Sequence, residues 1–131
     1  MKATPLVWTG RVLSALFALF MLGASAVPKL MGMPIADEIM AHLGWPPGYV
    51  FGIGVLELTL TLLYICRPTS VLAAVLFMGL FGGAMATNMR AEQPLFSHTL
   101  FSIYLGLIMW GGLWLRDEKL RALFPWRRKD A

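Results

Sequence analysis

Charged side chains are scarce in this sequence: Asp, Glu, Lys and Arg make up 14% of the residues, whereas hydrophobic residues make up 58%. A soluble domain is usually about half apolar and about a quarter charged. The 131 residues suffice for one domain, but a soluble protein of this size could not bury so much apolar surface. The composition therefore predicts an integral membrane protein. It argues against nucleic acid as a partner, because that would need a basic folded face.

Cysteine and histidine are rare as well. Cys66 is the single cysteine, which excludes an intrachain disulfide, and no Cys/His zinc pattern exists. His42 and His98 are too far apart in sequence to indicate a metal site. No Ser/His/Asp, Walker or dinucleotide-binding motif is present. We therefore expect no metal and no identifiable cofactor, although a bound quinone remains open, and a stand-alone enzyme of a soluble type is not indicated.

Four long stretches with little or no charge cover most of the chain. A membrane-spanning helix needs about 20 mostly apolar residues, and we predict spans near 7–27, 49–66, 70–88 and 97–115. The predicted fold is all-α, a four-transmembrane-helix bundle forming one domain over residues 1–131. An alternative exists for the first stretch, because Lys2, the apolar run and Ala24-Ser25-Ala26 resemble a signal peptide with its cleavage site. The length of the run favours a retained span.

The distribution of Lys and Arg predicts the orientation. Lys29 and Arg90 would lie on one side of the membrane. The other side would hold the remaining basic residues, which are Lys2, Arg11, Arg67, Arg116, Lys119, Arg121, Arg127, Arg128 and Lys129. With four spans both termini share a side, and the positive-inside rule makes it the cytoplasm. The basic tail 116–131 would then be cytoplasmic, and the connections 28–47 and 90–96 would face outward.

Two segments outside the spans are amphipathic. The first predicts a short surface helix with Trp45 as an interfacial anchor; it begins at Pro34, places Ile35, Ile39, Met40 and Leu43 on one face, and ends at Gly44. The second is the tail, in which Leu120, Leu123, Phe124 and Trp126 alternate with basic residues. It would lie against anionic inner-leaflet lipid, or else be a solvated stop-transfer tail.

Small residues share one face of the third span, namely Gly79, Gly82, Gly83, Ala86 and Thr87. Close helix packing in lipid uses such faces, and Gly79 and Gly83 form a GxxxG pair. We expect this face to pack against a neighbouring helix of the same chain. A homo-oligomer contact is the alternative.

Glu57 lies about eight residues into the second span, where an ionised carboxylate is costly unless it is paired or hydrated. Gly54, Thr61 and Tyr64 share its helical face, which should point into the bundle. Helical side chains tilt toward the helix N-terminus, and this tilt carries Lys29 and Arg90 from the outer ends of their spans back toward Glu57. We therefore predict that Glu57 shares one polar site with Lys29 or Arg90 in the outer half of the bundle.

Other polar residues surround this predicted site. Asn88 and His98 lie at the same rim, and Thr61, Tyr64 and Thr87 are secondary candidates. Two interpretations are open. The site is either a buried ion pair that fixes helix register, or a small polar pocket for a ligand headgroup, a quinone oxygen or a proton.

Several motifs together resemble those of the DoxX-like family of bacterial membrane proteins. They are Gly44-Trp45-Pro46-Pro47, Ile53-Gly54-Val55-Leu56-Glu57-Leu58, Gly82 to Arg90, Pro94-Leu95-Phe96-Ser97-His98 and Trp114-Leu115-Arg116-Asp117. The resemblance runs from Leu16 to Leu123 and implies four helices in the bacterial inner membrane. It supports Lys29, Glu57, Arg90 and His98 as positions of interest. Asn88 stands where members often carry a histidine, which weakens the idea of a histidine-based metal or haem site.

The resemblance is compatible with three hypotheses about the function of this protein. The family takes its name from a subunit of an archaeal thiosulfate:quinone oxidoreductase, and its wider relatives include a receptor-assembly chaperone. The first hypothesis is a binding or accessory subunit whose polar pocket holds a lipid-soluble ligand or supports a partner protein. The second is a quinone-linked redox subunit, which would have to borrow a redox centre from a partner. The third is a proton-coupled small transporter that uses Glu57.

The orientation leads to a testable prediction: both termini are cytoplasmic. Reporter fusions placed at the C-terminus and at Gln93 would measure the side of each position. We expect a cytoplasmic reporter to be active at the C-terminus and a periplasmic reporter to be active at Gln93, because the basic residues favour that arrangement. A periplasmic reporter active at the C-terminus would contradict the assignment.

Overall fold

The computed structural model describes residues 4–127, and every regular element in that range is helical. Lys2, Arg128 and Lys129, which contributed to the predicted orientation, lie outside the described residues. The helices are named here in chain order as α1 (Pro5–Leu30), α2 (Pro34–His42), α3 (Val50–Ile65), α4 (Ser70–Arg90), α5 (Leu95–Arg116) and α6 (Glu118–Leu123). Within α1 and α5, the segments Met21–Ala26 and Leu95–Thr99 are π-helical.

The four predicted spans coincide with α1, α3, α4 and α5 to within a few residues at each end. The helical segments Pro5–Leu30, Arg67–Arg90 and Leu95–Arg116 are long and apolar enough to cross a membrane. The segment Val50–Ile65 is also apolar but shorter. Its 16 residues extend about 24 Å at 1.5 Å per residue.

The four long helices pack side by side in the order α1, α3, α4 and α5, with α5 returning to α1. Consecutive helices in this ring run in opposite directions. The core between them is aromatic at its centre, where the Phe17 ring meets the rings of Tyr64, Phe77 and Phe81 edge-on at centroid distances of 5.1, 5.2 and 6.1 Å. Such edge-to-face pairs add to the stabilisation that burial provides. The end of the bundle that carries the connections α1–α3 and α4–α5 is called the loop end, and the opposite end the terminal end.

At the terminal end α1 and α5 are in very close contact. A Cβ atom built on Gly10 would lie 2.6 Å from the Gly112 carbonyl oxygen and 3.2 Å from Arg116 Cβ. At Gly112 an added Cβ would collide with Ser14 Oγ in the same way. The two glycines therefore let the backbones approach closely, as small residues do between membrane helices.

Helix α2 lies across the loop end. It begins and ends close to where the sequence predicts, and Gly44 follows it with a φ of 87°, a left-handed conformation that glycine adopts without strain. Ala36 and Met40 face the bundle and contact Val50. Ile35 and Ile39 are 56% and 54% exposed, so they are not packed in the core of the bundle. Their contact with the bilayer surface stays a prediction.

The small-residue face of α4 also differs from its prediction. A Cβ atom added to Gly79, Gly82 or Gly83 would meet nothing within 4 Å. The expectation that this face packs against another helix of the same chain is therefore wrong. The side of α4 that enters the core instead carries Ala73, Ala74, Phe77 and Phe81. A GxxxG pair permits a neighbouring helix to approach closely, but it does not determine whether a neighbouring helix lies against that face.

The tail folds back against the terminal end. Asp117 caps α6 by accepting hydrogen bonds from the backbone N–H groups of Lys119 and Leu120, which otherwise lack helical partners. Arg121 donates to the carbonyl oxygens of Trp114 and Leu115 at 2.9 and 2.7 Å, so it satisfies the last turn of α5. The described part of the tail is thus packed on the bundle through α6.

These contacts predict opposite effects for two Gly→Ala substitutions. Gly10→Ala should destabilise the protein by about 1–3 kcal/mol, because the methyl group must displace backbone of α5. Gly83→Ala should be neutral or slightly stabilising, because it meets no neighbour and alanine favours a helix by up to about 1 kcal/mol. Thermal unfolding in detergent measures both. Equal melting temperatures for the two variants would contradict the packing described here.

Candidate functional site

The last turns of α1 bring Ser25 and Lys29 to the loop end. Pro28 has no N–H group to donate to Ala24, so a regular helical hydrogen bond is lost there. Just before it the helix widens into its π-helical turn, in which the Val27 N–H donates to the Leu22 carbonyl. Single π-turns inside helices frequently occur at functional sites. Ser25 lies within this π-helical turn and is therefore a candidate functional residue.

Glu57 forms a compact cluster with these two residues, named here the ion cluster. Lys29 Nζ lies 3.0 Å from Glu57 Oε1, and the two side chains are 15% and 6% exposed. Ser25 donates a hydrogen bond to Glu57 Oε2 and accepts one from Lys29 Nζ at 2.9 Å. Lys29 Nζ also lies 3.3 Å from the Ser25 carbonyl oxygen. Both carboxylate oxygens and all three ammonium hydrogens thereby have partners.

Gly54 permits this pairing. It lies one helical turn before Glu57, and a Cβ atom there would lie 2.9 Å from Lys29 Cβ and 3.2 Å from Leu30 Cγ. The absence of a side chain lets the end of α1 approach α3 until the ammonium group reaches the carboxylate. The predicted face of α3 is confirmed, since Gly54, Glu57, Thr61 and Tyr64 are all buried.

Arg90, the second predicted partner of Glu57, binds the end of α2 instead. Its Nη2 atom donates to the Leu43 carbonyl oxygen at 2.6 Å. It occupies the space that a side chain on Gly44 would need, because a Cβ there would lie 2.7 Å from Nη2. Arg90 therefore caps the C-terminus of α2, where cations and donors are favourable. The structure selects Lys29 from the two predicted partners.

A cavity of about 330 Å³ opens beside α2 and is named here the loop-end cavity. It is lined by Glu38, Ile39, His42, Leu43, Asn88, Gln93 and His98. Asn88 is half-buried and donates to the Ala84 carbonyl at 2.7 Å, which leaves its carbonyl oxygen and one N–H. His98 Nδ1 shares a 2.7 Å hydrogen bond with Ser97 Oγ, which leaves Nε2. The predicted candidates Asn88 and His98 thus meet in one cavity, apart from the ion cluster.

A smaller cavity of about 120 Å³ lies on the other side of α2. Ser25 and Lys29 contribute to its wall, together with residues of α2 that include Ile39. Ile39 lines both cavities. Helix α2 is therefore a partition between the ion cluster and the polar side chains of the loop-end cavity.

The secondary candidates fall outside both cavities. Thr61 is fully buried and donates to the Glu57 carbonyl oxygen at 2.7 Å. Tyr64 belongs to a separate group toward the terminal end, where its hydroxyl donates to the Met109 carbonyl at 2.7 Å and lies 2.9 Å from Ser14 Oγ. The Thr87 side chain is half-buried on α4 and forms no hydrogen bond with another residue in the range 4–127. None of the three contributes to the loop-end cavity.

Several residues of the ion cluster and the loop-end cavity were not predicted from the sequence. Ser25 lies one helical turn before Lys29, but its contact with Glu57 depends on the π-helical turn, which the sequence pattern does not reveal. Glu38 and His42 belong to α2, whose pattern predicts a helix but not its position beside α4 and α5, and Gln93 belongs to the short connection between α4 and α5. Although two histidines line one cavity, residues 4–127 contain no group of three or more His, Cys, Asp or Glu arranged to hold a metal ion.

The ion cluster predicts strong coupling between Glu57 and Lys29. Glu57→Gln or Lys29→Met alone should destabilise the protein by roughly 3–5 kcal/mol, because each leaves the other charge buried and uncompensated. The double variant should recover much of this loss, so the effects should be far from additive. Thermal unfolding in detergent measures the cycle. Glu118→Gln, at an exposed acid, is the control and should change stability by less than about 0.5 kcal/mol; additive single effects would contradict the pairing.

The comparison with known families agrees with the architecture. A family model described as the DoxX-like family matches residues 12–112, which include α2, α3 and α4, the ion cluster and every residue that lines the loop-end cavity. No curated protein and no solved structure matches the chain. The family match and the apolar helices agree that this is a membrane protein. The chain belongs to the DoxX-like family.

Proposed function

We propose that this protein is a bacterial inner-membrane protein with four spans in one domain, and that its loop end binds the polar head of a lipid-soluble ligand. The ligand head would enter the loop-end cavity between α2, α4 and α5. The protein would act as a binding or accessory subunit, presenting this ligand to a partner in the membrane. The observation that carries the proposal is the loop-end cavity, in which Asn88 and His98 keep hydrogen-bonding groups available for a ligand.

The chemistry of the cavity supports a mostly neutral ligand head. Its wall combines two imidazoles, two side-chain amides and one carboxylate with the apolar residues Ile39 and Leu43. Imidazole and amide groups donate and accept hydrogen bonds without a fixed charge, as ligand carbonyl and hydroxyl groups require. The volume of about 330 Å³ lies at the lower end of the range for ligand pockets. It suits a ring-sized head whose tail remains in the lipid.

The ion cluster supports this arrangement without offering a second ligand site of its own. Its charges are mutually neutralised, so a ligand would have to break an existing pair to reach them. Its role in the proposal is to anchor the end of α1 on α3, which fixes where the connection that leads into α2 begins. Arg90 anchors the other end of α2 through the Leu43 carbonyl. The cavity wall is thus held from two sides, and preorganisation of this kind favours binding.

The location and the partners follow from the orientation predicted above. Both termini would be cytoplasmic, and the loop end would face outward at the level of the outer lipid headgroups. A quinone has the required carbonyl oxygens and lipid-soluble tail, so it is the ligand class to test first. If a redox reaction is involved, a partner subunit would carry the redox centre, because the proposal assigns this chain only the binding step.

The proposal predicts that Asn88 and His98 determine affinity. A short-chain ubiquinone should bind the protein in lipid nanodiscs, and Asn88→Leu or His98→Leu should weaken binding about tenfold. The reason is that each removes hydrogen-bonding groups from the cavity, and a lost hydrogen bond of about 1.4 kcal/mol corresponds to a factor of ten. Quenching of tryptophan fluorescence measures the affinity.

Thr87→Val is the matched control, because Thr87 is adjacent to Asn88 in sequence but does not line the cavity. It should bind as the unmodified protein does. A cavity role for Asn88 and His98 is contradicted if both Leu variants retain full affinity. It is also contradicted if Thr87→Val loses as much affinity as they do. Absence of binding to the unmodified protein would reject quinones as the ligand class.

A further inference from the structure

Arg116 lies at the terminal end, where α1 and α5 are in closest contact. Its Cβ lies 3.2 Å from the position that a Cβ on Gly10 would take. The guanidinium carbon is 5.9 Å from the centre of the Tyr64 ring. The glycine contact brings the backbones of α1 and α5 together here, so the Arg116 side chain begins at the seam between the two helices. It is a half-buried cation held against the end of the core.

No carboxylate among the described residues pairs with this cation, whose nearest polar neighbour is the Tyr64 side chain. Its Nε atom is buried and has no hydrogen-bond partner, and the one salt bridge found among residues 4–127 is the Lys29–Glu57 pair. The neighbouring carboxylate of Asp117 is directed to the N-terminus of α6, where it accepts two backbone hydrogen bonds. A partly buried charge without compensation is costly. The arrangement therefore favours an anion supplied from outside the chain.

Arg11 adds a second cation on the neighbouring helix. It follows Gly10 directly, and its guanidinium stacks over the exposed Trp8 ring at 4.9 Å. Arg121 differs from both, because its Nη1 atom is already bonded to two carbonyl oxygens of α5. Arg116 and Arg11 thus remain without an anionic partner among the described residues. A guanidinium group fits phosphate oxygens with paired hydrogen bonds.

We propose that Arg116, assisted by Arg11, forms a binding site for a phosphate oxyanion at the terminal end. The phosphate would come from a phospholipid headgroup or from free inorganic phosphate. The exposed Trp8 and Trp126 favour the lipid source, since tryptophan concentrates at the headgroup level of membranes. This site lies at the opposite end of the bundle from the loop-end cavity, so its test is independent of the proposed ligand there.

The experiment measures binding of three probes to the purified full chain in detergent by native mass spectrometry. The probes are a short-chain phosphatidylglycerol, a diacylglycerol with the same acyl chains, and inorganic phosphate. We expect one phosphatidylglycerol to bind at least tenfold more tightly than the diacylglycerol, which lacks the phosphate. Arg116→Gln should weaken phosphatidylglycerol binding about tenfold, as expected for the loss of a charge-assisted hydrogen bond.

Arg67→Gln is the matched control, because it removes the same charge from an exposed position at the same end of the bundle. It should weaken binding only a few-fold, as general electrostatic attraction does. If Arg116→Gln does not fold, Arg116→Lys replaces it. Lysine keeps the charge but loses the paired geometry, and we expect a loss of affinity greater than that of Arg67→Gln.

Competition identifies the source of the phosphate. Displacement of phosphatidylglycerol by millimolar inorganic phosphate would support the site with free phosphate as its ligand, and retention of the lipid would support the headgroup. The proposal is overturned if phosphatidylglycerol and the diacylglycerol bind equally. It is also overturned if the Arg116 variant loses no more affinity than Arg67→Gln.

Discussion

The cost of burying the Glu57 carboxylate is the constraint on which the loop end depends. An uncompensated charge in an apolar bundle is unfavourable, and Lys29 and Ser25 supply the compensation. This requires the end of α1 to approach α3, which Gly54 makes possible. It also requires the ammonium group to lie at the depth of the carboxylate, which the opposite directions of α1 and α3 provide. One acid thus fixes the relative position of two helices and the starting point of the connection that forms α2.

The helices pack differently at the two ends of the bundle. At the terminal end Gly10 and Gly112 bring α1 and α5 together until no side chain fits between them. At the loop end both π-turns occur, and each contributes a residue to a cavity wall, Ser25 on one side of α2 and His98 on the other. A π-turn widens a helix and disturbs regular packing. The cavities therefore occur where helical regularity is interrupted, and the closest contact at the terminal end occurs where Gly10 and Gly112 face each other.

The features of the structure that depend on local chemistry could be predicted from the sequence. The charge-poor stretches located all four long helices, and the direction of side-chain tilt placed Lys29 near Glu57. The sequence could not choose between Lys29 and Arg90, because that choice depends on α2, whose C-terminus takes Arg90 as a cap. It assigned a neighbour within the chain to the Gly79–Gly83 face, although none of the residues 4–127 packs there. A spacing shows which face permits contact, whereas the partner is determined by the packing of the whole bundle.

The same distinction separates the two charged sites. Glu57 and Lys29 satisfy each other completely, which accounts for a fixed geometry and leaves no group for a ligand. Arg116 is also shielded by the bundle, yet no acid of the described chain pairs with it. Burial alone therefore does not indicate binding. What separates a structural charge from a binding one is whether the protein itself supplies the counter-charge. Lys29 supplies it for Glu57, whereas none of the residues 4–127 supplies a carboxylate for Arg116.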